Sequence, residues 1–298
     1  MSKLSTGLRQ YLMGTGYLSG LMSGAVPAYK LYLYDGTPPA TADDALSGNT
    51  LLATLEDTVG GGLGVFFDAA SDGVLTQAAA APLQGNAGTG GTPTFFRLKT
   101  TADANSLSTT AYRIQGTVGT VGTEDLVLGA VTATQLIKLS SFFITLPAGD
   151  GASAKLSTGL RDQLLDVADL HTILADGFGH VLKIFDGTPP ATADAALSGN
   201  TLLVTVDVPA DGYLTFDAPS AGVISRNMSA SAEGTIAATG TPTFFRIETL
   251  ADTGALSTTL VRIQGTVGTV GTEDLVVGEL TASETFVLGT LTITLPAE

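Results

Sequence analysis

The chain has no cysteine and no tryptophan, only two histidines and four methionines. Without cysteine there are no disulfides, no thiol nucleophile and no Cys-ligated metal. Basic residues are scarce: 13 Lys+Arg face 28 Asp+Glu among 298 residues, a net charge of −15. Such a balance argues against nucleic-acid partners, because neutralising phosphates takes clustered Lys and Arg. A hydrophobic fraction of 44% with only 14% charged residues excludes an acidic disordered chain. Long apolar runs are missing too, and none reaches the ~18 residues that span a bilayer. Residues 1–28 imitate a signal peptide, with Lys3 and Arg9 ahead of the mildly apolar Tyr11–Leu18 and a cleavage-like Ala25-Val26-Pro27-Ala28. The block Lys3-Leu4-Ser5-Thr6-Gly7-Leu8-Arg9 recurs at Lys155–Arg161, however, and a segment that recurs belongs to the fold. A soluble, non-exported protein without a membrane partner is expected.

That recurrence runs the length of the chain. Asp35–Asp43 (DGTPPATAD) returns as Asp186–Asp194, Gly91–Arg97 (GTPTFFR) as Gly240–Arg246, and Ile144–Ala148 as Ile293–Ala297. The fifteen residues Arg113–Val127, RIQGTVGTVGTEDLV, return unchanged as Arg262–Val276. The chain reads as a tandem duplication, with one domain over 1–149, a second over 150–298, and a joint near Gly149–Ser153. Two long units do not make a solenoid, whose repeats run about 20–50 residues. A unit of this size buries roughly 68–70% of its unfolded surface, enough to fold alone.

Richness in glycine and threonine favours strands and turns. Strands are expected in copy one at 29–34, 51–55, 65–68, 73–77, 94–99, 112–117, 126–131 and 142–146. Residues 29–34 and 143–146 alternate apolar and polar as half-buried strands do. Asp-Gly pairs at 35–36, 72–73 and 211–212 supply turns. About eight short strands per copy, without interleaved helices, predict an all-β protein of two tandem β-sandwich or jelly-roll domains. Each is opened by a short N-terminal helix. In copy two, Leu156, Leu160, Leu164, Ala168, Leu170, Ile173 and Leu174 line one face of it, Ser157 or Thr158 caps it and Gly177 ends it.

No phosphate-binding loop, nucleophile elbow, HExxH pair or CxxC is present. His171 and His180 both lie in copy two on separate elements. Glu124-Asp125 and Glu273-Asp274 form acidic pairs in both copies, but strand neighbours point to opposite faces and the surroundings read as a solvated turn. Residues 68–73 lack the alternating oxygen ligands of a calcium loop. Asn227-Met228-Ser229 has the form of a glycosylation sequon, a triplet common by chance. No catalytic, cofactor-binding or metal-binding residue is assigned, and no enzymatic activity is expected.

The retained cations are Lys3/Lys155, Arg9/Arg161, Arg97/Arg246 and Arg113/Arg262. Either each arginine pairs with a carboxylate of its own domain, such as Asp35 or Asp43, or it docks on an acidic neighbour. Copy one, to Ala152, holds 7 basic and 11 acidic residues, copy two 6 and 17. Six of seven tyrosines lie in copy one, and its opening helix replaces charge with Tyr, Met and Gly. Tyr and Met are enriched at protein interfaces. The helix therefore either docks on a partner through Tyr11, Met13, Tyr17, Leu21 and Met22, or packs on its own sheet.

KLSTGLR, a strand ending in DGTPPATAD, GTPTFFR, RIQGTVGT and a closing ITLPA resemble a family of small tailed-bacteriophage virion structural proteins, here present twice. The resemblance covers both halves, and its motifs report fold and not chemistry. It implies a non-enzymatic virion protein without cofactor, assembled in the bacterial host cytoplasm. The favoured role is a capsid decoration (cement) protein on the outer shell, binding major capsid protein or other virion proteins and self-associating. A tail or baseplate component and a glycan-binding appendage are the alternatives.

Overall fold

A computed structural model describes residues 3–4, 6–22, 28–57, 64–80, 82–122, 124–139, 141–146, 155–175, 179–220, 222–269 and 273–295. The chain divides into two compact units, one of Met1–Thr145 with Leu165–Val167 and Ala297–Glu298, the other of Leu146–Leu164 with Ala168–Pro296. The expected joint at 149–153 lies outside the described residues.

Copy one runs β1 (Lys3–Leu4), α1 (Thr6–Gly14), α2 (Leu18–Met22), β2 (Tyr29–Tyr34), β3 (Leu51–Asp57), β4 (Val74–Thr76), β5 (Leu83–Asn86), β6 (Phe95–Thr100), β7 (Ile114–Gly119), β8 (Leu126–Val127), β9 (Leu136–Lys138) and β10 (Phe143–Thr145). Its main sheet has the order β1-β7-β6-β2-β3-β5-β9, antiparallel throughout, with β8 added parallel to β7. A separate ribbon pairs β4 with β10.

Copy two repeats the plan: β11 (Lys155–Leu156), α3 (Thr158–Asp166), α4 (Leu170–Ala175), β12 (His180–Phe185), β13 (Leu202–Val206), β14 (Val223–Ser225), β15 (Ala232–Thr235), β16 (Phe244–Thr249), β17 (Ile263–Gly268), β18 (Leu275–Val276), β19 (Thr285–Leu288) and β20 (Thr292–Thr294). Here β11-β17-β16-β12-β13 is one sheet and β15-β19 a pair, joined by the bridge Asp207↔Glu233.

The all-β expectation holds. The pairing in copy one gives one eight-stranded sheet and the β4-β10 ribbon; in copy two it gives one six-stranded sheet with two two-stranded pairs, β14-β20 and β15-β19. The ribbon side packs on the sheet through Phe142, whose ring stands edge-on to Phe96 at 5.6 Å. Strands β1, β5 and β9 were not expected, being too short or too polar to show a period. Residues 65–68 contribute only the bridge Phe67↔Gln77.

The single opening helix is two helices in each copy. In copy two Ser157 caps α3, its hydroxyl accepting the Leu160 N–H at 3.2 Å, and Asp169 caps α4 by accepting the Thr172 N–H at 2.9 Å. A capping carboxylate in mid-run starts a new helix and so breaks the old one. Residue 177 lies outside the described residues.

Register explains how the main sheet buries both faces. Tyr32 opposes Arg97, and Arg97 opposes Gln115, so these three share a face with Tyr34, Phe95, Lys99 and Arg113. Leu31, Leu33, Phe96, Leu98 and Ile114 take the other face, and all five are buried. One face is an apolar core; the second is polar and lies under loops.

Candidate functional site

Four of the five recurring motifs meet at the polar face; the fifth, ITLPA, supplies the ribbon strands β10 and β20. Arg113 grips Asp103 with two bonds, Nε to Oδ2 at 2.5 Å and Nη2 to Oδ1 at 2.7 Å, while Nη1 donates to the carbonyls of Ala42 and Asp43. Arg97 donates from Nε to Gln115 Oε1 at 2.9 Å and from Nη2 to the Asp44 carbonyl at 2.8 Å. Gln115 in turn donates to the Pro39 carbonyl. The DGTPPATAD loop is thus pinned through its backbone by the FFR and RIQ strands.

Copy two builds the same brace. Arg262 grips Asp252 at 2.6 and 2.8 Å and reaches the carbonyls of Ala193 and Asp194; Arg246 holds Gln264 and the Ala195 carbonyl. KLSTGLR joins from the side: Ser157 Oγ donates to the Leu260 carbonyl and accepts the Arg262 N–H, and Thr158 bonds Asp194. Gly7 is required there, since a Cβ would lie 2.5 Å from the Thr110 carbonyl group; Gly159 meets Thr259 in the same way.

All four arginines are essentially unexposed, which removes them as docking residues for an acidic neighbour. Nor are Asp35 and Asp43 the carboxylate partners. Asp35 accepts the Thr50 N–H, Asp43 offers its backbone carbonyl to Arg113, and the partners are Asp103 and Asp252. Arg97 and Arg246 are held by neutral acceptors. A signal for the true partner exists in the sequence: an Ala-Asp pair ends ten residues before Arg113 and again before Arg262.

One further charge completes each brace. Lys99 on β6 donates to the Asp103 carbonyl at 2.7 Å and lies 4.1 Å from the centre of the Tyr32 ring. In copy two Glu248 stands where Lys99 would be, and Lys183 replaces Tyr32 on the neighbouring strand. Lys183 donates to the Asp252 carbonyl at 2.9 Å and pairs with Glu248 Oε1 at 2.9 Å.

Burial, with Arg113 nearby, pushes the Arg97 guanidinium down to about 10. Burial also lowers Lys99 and raises Glu248, the latter against the pull of Lys183. Burial works against the charge of Asp103 and Asp252, but their arginine bonds outweigh it and hold both below the usual carboxylate range.

The acidic pairs are turn braces. Asp125 Oδ2 accepts the N–H and hydroxyl of Thr117 at 2.9 and 3.1 Å, and Asp274 repeats this with Thr266. Among the described residues no group of three His, Asp or Glu is placed to hold a metal ion. His180 is buried in β12 and His171 half-buried in α4. Asn227 of the sequon donates to Asp217 Oδ1 at 2.6 Å.

The five residues of the docking helix separate. Met13 and Met22 are fully buried at positions that copy two fills with the core residues Leu165 and Leu174, so neither reaches a partner. Tyr11, Tyr17 and Leu21 are half-buried. The Tyr11 ring lies 5.2 Å from that of Tyr112, and the Tyr17 ring sits against Gly20. Packing on its own domain accounts for the methionines.

The exterior carries features the sequence did not show. Leu107 and Leu256, equivalent in the two copies, are 70% and 72% exposed. Copy one also has a cleft of about 340 Å³ lined by Val127, Phe143, Lys138 and Glu124. Phe143 is exposed there, and copy two has Thr292 in its place. Among the described residues seven basic side chains are buried against four acidic ones, which leaves the outer surface more acidic than the composition suggests. No helix among the described residues is long and apolar enough to cross a membrane. The chain matches no protein-family model, no curated protein and no solved structure.

Proposed function

We propose that the chain is a non-enzymatic structural protein of a virion, a decoration protein that binds major capsid subunits on the outside of the shell. The observation that supports this reading most is the paired surface. Each copy commits two arginines to an internal brace and presents the same outward leucine, Leu107 or Leu256, on an acidic exterior. Two like surfaces on one chain suit a partner that is itself repeated, since two-point attachment multiplies modest contacts. An acidic exterior also disfavours contact with packaged DNA.

Cryo-electron microscopy of particles with and without the protein tests the reading. Density lost at regular positions of the shell is the expected result. An unchanged shell with density missing from the tail overturns the location and favours a tail component. A glycan-binding role would rest on the copy-one cleft beside Phe143, and a glycan array without a hit removes it.

A further inference from the structure

The two braces share an incomplete bond. Nη1 of Arg97 and Nη1 of Arg246 are buried and have no hydrogen-bond partner, while both side chains are 0% exposed. Leaving a buried donor unmet is destabilising, more so when it is charged. The same N–H group is unmet twice although its surroundings have diverged: Tyr34 and Asn105 of copy one are Phe185 and Gly254 in copy two. The same buried, unmet donor beside different neighbours points to a small ligand that accepts from the guanidinium.

Charge distinguishes the copies. Around Arg97 the buried cations are Lys99 and Arg113, with Asp103 as the one enclosed carboxylate; Asp44 is half-buried and its Oδ2 is taken by the Thr41 N–H at 2.8 Å. Around Arg246 stand Lys183 and Arg262, opposed by two enclosed carboxylates, Asp252 and Glu248. Copy one thus holds three cations to one anion, and copy two three to two. Copy one also offers a second donor. Tyr34 shares the face of Arg97 one diagonal step away, and its oxygen accepts from Asn105 Nδ2 at 3.1 Å, which leaves the hydroxyl proton free to donate.

We infer that copy one encloses a site for a small monovalent anion of halide size at Arg97 Nη1, and that a water molecule fills the equivalent place at Arg246. An anion supplies both the missing acceptor and part of the missing charge. In copy two Glu248 already supplies the charge, so only the acceptor is wanted, and water provides it.

Bromide is the probe. Crystals grown in bromide should show an anomalous peak within hydrogen-bond distance of Arg97 Nη1 and none at Arg246. Melting in bromide against gluconate at equal ionic strength should raise the copy-one transition by about 3–5 °C and leave copy two unmoved. The variant Tyr32→Lys/Lys99→Glu gives copy one the pair that copy two already folds with, and it should abolish both the peak and the shift. Water at Arg97 without any halide dependence overturns the anion assignment. Bromide at both arginines overturns the charge argument, and a peak without a melting shift marks an adventitious ion only.

Discussion

Copy one and copy two place an ammonium at the same point in space from different strands. Lys99 reaches the Asp103 carbonyl from β6, and Lys183 reaches the Asp252 carbonyl from β12, the equivalent of β2. Around it the pairing has changed from a cation over a tyrosine ring to a lysine–glutamate pair. The fold keeps the location of the charge and not its address in the chain. Aligned by sequence alone, Tyr32 against Lys183 and Lys99 against Glu248 read as two unrelated substitutions. The register makes them one compensated exchange.

The largest test of this likeness removes the arginine that both copies share. Arg262→Met takes from Asp252 its bidentate partner and leaves two buried carboxylates with Lys183 and Arg246, and it should cost about 3–5 kcal/mol. Arg113→Met, which leaves Asp103 with Lys99, should cost less. Calorimetry resolving the two units checks the order, and equal losses would break the comparison. The exchange itself comes next. Lys99→Glu alone should destabilise copy one by about 2–3 kcal/mol, through a buried carboxylate without its lysine. Adding Tyr32→Lys should restore most of that loss, a coupling of about 1–3 kcal/mol in a double-mutant cycle. Gly7→Ala and Gly159→Ala should then cost alike, about 1–3 kcal/mol each, since both force a Cβ into the facing Thr backbone.

Acid offers a subtler distinction. Asp103 and Asp252 have depressed folded-state values, so their stabilisation is present above the ordinary aspartate range and is lost as pH falls below about 4. Glu248 runs the other way. Its raised value means that the folded state binds the proton more tightly, so its contribution is favourable in acid and is lost as pH rises through the ordinary glutamate range to that raised value. Copy one should therefore lose more stability than copy two between neutrality and pH 3. Glu248→Gln should make the two profiles alike, as followed by the two melting transitions across pH. The smallest effect is expected at the surface. Tyr17→Asp and Phe143→Asp should each leave both transitions within about 0.5 kcal/mol, because these rings are partly or largely in water. Loss of particle binding by either would then report docking through copy one.

The duplication, the β class and the strand 29–34 were legible because repetition and alternation are properties of sequence. The strand Arg113–Thr117 was legible as a strand, yet its meaning was not. RIQ places Arg113 and Gln115 on one face, but only pairing with β6 shows that face to be roofed by a loop. Asp103 escaped notice because it lies in a loop without period, and its role follows from a contact ten residues away. The methionines misled for a physical reason: a residue favoured at interfaces is favoured in cores on the same grounds, and only burial separates the two. The polar-to-charged change at Tyr17, where copy two has the helix-capping Asp169, concerned how a second helix begins and not what the first one binds.

The unchanged fifteen-residue block that carries β7 and β8 in copy one and β17 and β18 in copy two also bears on how the chain folds. Strands β7 and β17 present identical edges to β6 and β16, in the same register, with Phe95 opposite Thr117 and Phe244 opposite Thr266. Nothing in their side chains tells one sheet from the other, so connectivity alone assigns each strand to its place. During refolding the two compete for the same vacancies, and strand exchange between copies is the characteristic error of such tandem arrays. Vectorial synthesis favours the correct pairing, because the first RIQGTVGTVGTEDLV leaves the ribosome 149 residues ahead of the second.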